Sequence, residues 1–117
     1  MGYMLLVVEK AGDRAARPES EGRALYDRML RFSEELQQRG LLIMSQSLRT
    51  DTVGARVTTQ GEKSIVRDGP FAEAKEMIGG IFLLTCNTRE QAVEIARECP
   101  AAEWATIEVR ELGPCFQ

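Results

Sequence analysis

The sequence predicts an α+β protein in which two helices lie on one face of a single antiparallel sheet. Three observations carry this. Two amphipathic helical patterns alternate with short apolar runs of strand length. A polar hairpin pattern sits between the second and third of those runs. The chain has 117 residues, which fits one domain spanning 1–117 with a core built without disulfides or a structural metal.

Tyr3 to Glu9 opens the order as a nearly continuous apolar run and reads as the first strand. Lys10 to Arg17 is polar and reads as a surface loop. Pro18 suits the first turn of a helix, because its fixed φ is helical and its missing N–H is not needed there. Leu25, Met29, Phe32 and Leu36 then recur at spacings of four, three and four, forming one apolar stripe. Gly40 stands where a helix ends in glycine. Leu42 to Leu48 is a strand of mixed character. Arg56 to Thr59 and Lys63 to Val66 flank Gln60, Gly61 and Glu62, the pattern of a short hairpin. Gly80 to Asn87 is a second apolar strand. Thr88 and Gln91 have capping-box spacing, and Ala92, Val93, Ile95, Ala96 and Cys99 give the helix they open an inward face. Pro100 stops that helix. Trp104 to Leu112 alternates, with Ala105, Ile107 and Val109 on one side and Thr106, Glu108 and Arg110 on the other.

The resulting order is β-α-β, a hairpin insertion, then β-α-β. Right-handed crossovers put both helices on the same face. Met4 to Val8 and Ile81 to Leu84 are nevertheless apolar on both sides, where a wet second face would alternate. Either a second copy covers that face as a two-fold dimer, or strand apolarity exceeds what the fold needs.

Composition narrows the chemistry. Net charge is −3 without a basic stripe, which argues against direct nucleic-acid binding. No apolar run reaches the ~20 residues of a membrane span. The first apolar run is too short for a signal-peptide core and follows no basic segment, so a cytoplasmic location is expected. Cys86, Cys99 and Cys115 are odd in number and not spaced as Cys-x-x-Cys, as reduced thiols would be. The chain has no histidine. That removes the commonest general base near neutral pH, the Ser-His-Asp and Cys-His nucleophile arrangements, and imidazole zinc sites. No metal or cofactor is expected. Catalysis would fall to carboxylates, Lys, Tyr, Cys or a borrowed cofactor.

One stretch stands apart: Asp68-Gly69-Pro70-Phe71-Ala72-Glu73-Ala74-Lys75-Glu76, closing on Gly79-Gly80. Asp-Gly-Pro is turn chemistry, and Phe71 would anchor the loop in the core. Glu73, Lys75 and Glu76 would then be solvated. The same residues also suit a site in which Asp68 is aimed into a cleft. Beside Lys75 it would stay an anion; desolvated without a cation it would hold a proton and serve as an acid. The sequence leaves both cases open. Arg110 shares a strand face with Glu108, and the two either line a cavity or pair on a wet edge. Tyr3 either offers its hydroxyl to the same cavity or packs.

The run DGPFAEAKE, followed by Gly79-Gly80 and an apolar strand, resembles the signature of the DGPF family, a branch of the YCII-related proteins. Tyr3-Met4-Leu5-Leu6, Cys99-Pro100 and Glu108-Val109-Arg110 are also similar to the family, so the resemblance covers nearly the whole chain. It implies a ferredoxin-like fold of the dimeric α/β-barrel superfamily, with two sheets facing each other around a cavity. The family has no settled biochemical function. Related YCII proteins are thought to carry a His-Asp pair in a dimer cleft, and a chain without histidine cannot hold it. Members are often encoded beside sigma factors of the extracytoplasmic-function type, which implies a link to stress signalling.

Three functional expectations follow. The first is a non-catalytic homodimeric module that binds a small ligand or a protein and serves regulation. The second is a small metal-independent enzyme with Asp68 as acid or base, Lys75 or Arg110 holding an anionic substrate, and Glu73 orienting the lysine, with Glu76 and Tyr3 lining the site. The third gives Gly69, Pro70, Phe71 and Gly80 a structural role, locking the hairpin to the sheet.

Overall fold

A computed structural model describes residues 2–117. The elements are β1 (Tyr3–Lys10), α1 (Asp13–Ala16), α2 (Glu19–Gln38), β2 (Leu42–Ser47), β3 (Ala55–Gln60), β4 (Lys63–Asp68), β5 (Glu76–Leu84), α3 (Arg89–Glu98) and β6 (Thr106–Glu111). Single 3-10 turns at Asp51–Val53 and Pro100–Glu103 join β2 to β3 and α3 to β6. Four strands form a sheet in the order β2-β5-β1-β6, every neighbour antiparallel, and β3 and β4 form a separate hairpin. This is the ferredoxin-like arrangement with an inserted arm. No helix of the described residues is long and apolar enough to cross a membrane.

Side-chain alternation sorts the sheet into two faces. Tyr3, Leu5 and Val7 of β1 stand opposite Leu84, Phe82 and Gly80 of β5 and share a face with Ile107 and Val109 of β6. Phe32 and Leu36 of α2 and Ala92, Ile95 and Ala96 of α3 close on that face, and Phe32 meets Phe82 edge to face at 5.5 Å between ring centres. The opposite face carries Met4, Leu6, Val8, Ile81 and Leu83, all half-buried, with Met44 and Ile78 more exposed. The molecule measures 47 × 41 × 18 Å, and its shortest dimension is about one helix layer plus one sheet layer. Its radius of gyration is 16.0 Å, against about 13 Å for a compact chain of this length. The excess fits an open slab with a projecting arm.

The helix ends follow local chemistry. Gly40 takes φ +71°, and the N–H groups of Gly40 and Leu41 return to the carbonyls of Gln37 and Leu36. That pair of bonds closes α2 as a Schellman motif, which needs the left-handed residue that glycine supplies. Thr88 Oγ1 accepts from the Gln91 N–H at 3.2 Å and opens α3.

Three expectations shift in detail. The loop Lys10–Arg17 contains the short helix α1, because Arg14 is held by a buried partner. The second apolar strand starts at Glu76 and not at Gly80, so Gly79-Gly80 lies inside β5, where the β1–β5 register shifts between Val7 and Val8. The last strand begins at Thr106, since the 3-10 turn takes Trp104 and Ala105 out of the ladder.

Candidate functional site

The sheet floor next to the first half of α2 consists of small and polar residues. Val7, Glu9, Ser45, Ser47, Gly79 and Gly80 lie there, and only Phe82 is large. A helix resting on serines and glycines has no ridge to pack into, and the buried residues of α2 are Phe32 and Leu36, both in its second half. The first half stands off the sheet. Beneath it opens a cleft of about 660 Å³, within the usual range for small-molecule sites. Tyr26, Met29, Phe82 and Trp104 give it an apolar wall, and Arg14, Arg17, Arg23 and Arg49 gather at the end where α2 begins.

The cleft floor is fixed by an ion pair. Glu9 is the buried charged residue of the fold, at 6% exposure. Arg14 donates Nε–H to Glu9 Oε1 at 3.0 Å and Nη2–H to Oε2 at 2.6 Å, a bidentate fork. It donates further to the carbonyls of Leu48 at 2.7 Å and Gly79 at 3.2 Å. Four of its five N–H donors are thereby used. One side chain ties α1 to β1, β5 and the end of β2. Gly79 makes room for this: a Cβ there would lie 1.5 Å from Glu9 Oε2. The first glycine of the expected pair is explained by a buried carboxylate that no sequence spacing announces, whereas a Cβ on Gly80 would meet the Gln46 carbonyl oxygen at 3.3 Å.

The signature segment builds a different device. Arg56 and Arg67 face each other across the hairpin, an unfavourable like-charge pair. Glu73 resolves it by accepting from Arg56 Nη1 at 3.2 Å and from Arg67 Nη2. Its carboxyl is held below the ordinary range, first by the Arg67 hydrogen bond. Both guanidiniums also stack on Phe71, with Arg56 Cζ 4.0 Å and Arg67 Cζ 5.2 Å from the ring centre. Phe71 is buried but stands outside the central core cluster, so it anchors the loop to the hairpin and not to the core. Gly69 donates its N–H to the Gly54 carbonyl, and a Cβ on it would sit 1.7 Å from the Asp51 carbonyl oxygen. Only glycine fits that approach. Asp51 Oδ2 accepts from the Phe71 N–H at 3.4 Å.

The residues singled out from sequence are therefore dispersed over the fold. Asp68 ends β4, exposed and paired in register with Ala55. Lys75 and Glu76 are exposed at the far end of β1, where the Lys75 carbonyl accepts from Ala11 and Glu76 pairs with Lys10. Tyr3 and Arg110 belong to the other end of β1 and to opposite faces. Tyr3 is buried under the helices, and burial, then Glu111, raises its pKa. Arg110 is exposed on the open face and donates to Glu108 at 3.2 Å. Of this set, only Gly80 lines the cleft. Glu9, Arg14, Arg17 and Arg49 went unread. A lone glutamate at the end of an apolar strand was the available signal for the first of them.

The chain is 38% identical over 64 residues to an uncharacterized protein of Rhizobium meliloti (strain 1021), a stretch covering 53% of this chain and 52% of that protein. The match thus spans about half the length of that curated relative. The family model of the YCII-related domain matches residues 1–115. With the DGPF signature in place and nearly every residue covered, the chain belongs to the YCII-related domain family.

Proposed function

We propose that the protein is a cytoplasmic homodimer that binds a small organic ligand beneath the first half of α2 and acts as a regulatory module. The observation that carries the ligand reading is the cleft itself. A helix of 20 residues leaves its first half unpacked over a floor of Ser and Gly, and a buried ion pair holds that floor open. A fold with nothing to bind there gains by filling such a space with Leu or Phe, since unfilled volume is destabilising. The dimer reading rests on the second sheet face, where Met4, Leu6, Val8, Ile81 and Leu83 form an apolar surface across the two central strands. A second copy stacked sheet to sheet would bury it. The family's association with sigma factors supports the regulatory role.

Trp104 is the only tryptophan and lines the cleft, so ligand binding should change its emission. A panel of small organic molecules is titrated against this signal in the native protein and in Gly22→Phe. A Cβ at Gly22 meets only Arg17 Cδ, at 3.9 Å, so the ring can enter the cleft without a backbone clash. Responses abolished by Gly22→Phe support the reading. Responses that survive it, or a panel without any response, refute it. Sedimentation equilibrium tests the dimer: twice 13.1 kDa is expected, falling to one subunit in Leu6→Glu with its circular dichroism retained. A native protein that stays a single subunit at micromolar concentration refutes that part.

A further inference from the structure

The cleft is polarised along its length. At the α2 N-terminal end it is lined by Arg14, Arg17, Arg23 and Arg49, against the carboxylates of Glu9 and Glu19. Four cations against two anions leave a surplus of two positive charges, in a chain whose net charge is −3. The pairing is also uneven. Arg14 is consumed by Glu9, and Arg23 pairs with Glu19 at 3.0 Å. Arg17 and Arg49 enter no ion pair among the described residues. At the other end Met29, Phe82, Ala101 and Trp104 form an apolar wall.

We propose that the ligand is an amphipathic organic anion, with a carboxylate or phosphate head at Arg17 and Arg49 and a flat apolar body against Met29, Phe82 and Trp104. This rests on the reading of the cleft as a ligand site and adds the ligand's chemical class. Guanidinium groups match a pair of oxygens on either head and bind them through parallel N–H donors. Arg14 does not serve, because its donors are committed to Glu9, Leu48 and Gly79. It instead neutralises the one buried carboxylate that would repel an anion. Glu19, the other carboxylate of the cleft, is tied to Arg23. The aromatic wall supplies area and orientation, and the two arginines supply selection for charge.

The test uses three naphthalene probes of one shape: 2-naphthoate, 2-naphthyl phosphate and the neutral 2-naphthalenemethanol. Binding is measured by titration calorimetry to the native protein, to Arg17→Gln/Arg49→Gln, and to Gly22→Phe. At least one anion should bind once per chain about tenfold or more tighter than the alcohol. The double variant should remove that preference while leaving the alcohol unchanged, and Gly22→Phe should abolish all binding. The better of the two anions identifies the head. If the alcohol binds as well as both anions and Gly22→Phe abolishes it, the cleft reading stands and the anion inference is overturned. An anion preference that survives the double variant also overturns it. If no probe binds, or Gly22→Phe changes nothing, both readings fall.

Discussion

Gly79→Ala tests the buried clamp most directly. Gly79 does not have positive φ, so alanine meets no backbone strain there. The whole effect must come from its methyl group, which would lie 1.5 Å from Glu9 Oε2 and 2.7 Å from Arg14 Nη2. The carboxylate has to move, and moving it breaks the fork with Arg14. Breaking a buried ion pair costs about 3–5 kcal/mol. Arg14 keeps 30% of its side-chain surface exposed and regains some hydration, so the lower figure, about 3 kcal/mol, is expected. That is a large share of the 5–15 kcal/mol that hold a typical domain together. Chemical denaturation followed by circular dichroism measures it, at one fixed protein concentration for all variants. The decisive comparison is the same substitution in a Glu9→Ala background. With the carboxylate gone the close atom that remains is Arg14 Nη2, the far end of a flexible side chain released from its fork, and Gly79→Ala should then cost less than about 1 kcal/mol. Equal costs in both backgrounds would refute the claim that Gly79 exists to make room for Glu9.

The remaining predictions concern the signature device and the thiols. Phe71→Ala should destabilise by about 3 kcal/mol, the low end for a buried phenylalanine, because guanidiniums cover part of the ring; a denaturation midpoint that does not move would show that the ring anchors nothing. Glu73 and Glu103 have folded pKa values below their ordinary ones, held there first by hydrogen bonds from Arg67 and Arg28. Their contribution is present above the unfolded carboxylate pKa and is lost as pH falls through the folded value. Glu73→Gln and Glu103→Gln should therefore each lower stability slightly near neutrality, converge with the native protein at acid pH, and so flatten the acid limb of a stability–pH profile, whereas an unchanged acid limb would contradict the pairing. Cys86 and Cys99 are buried, and burial raises both thiol pKa values, while Cys115 is exposed. A thiol reagent on the native protein should modify one cysteine fast and two only on unfolding; rapid loss of all three would contradict the burial.

Much of the fold was legible because it rests on local rules. The stripe Leu25, Met29, Phe32 and Leu36, the glycine stop at Gly40 and the Thr88 cap are decided within a few residues, and each lies where the pattern places it. The hairpin around Gly61 was equally local. The least legible part was the site. Glu9 and Arg14 are five residues apart, yet their pairing requires β5 to bring Gly79 alongside and β2 to bring the Leu48 carbonyl. Glu73 could not be read as a brace, because no local pattern shows that the loop after β4 folds back onto Arg56 and Arg67.

The sequence by itself determined the order of elements, the helix ends, the two-sided apolarity of β1 and β5, and the family. These depend on periodicity, on backbone freedom at single residues, and on a contiguous signature. Tertiary structure alone decided where α2 lifts from the sheet, which carboxylate is buried and which arginines are left without partners. Those are properties of pairs distant along the chain. Their energies depend on what surrounds each charge, and no residue carries that information in its own name.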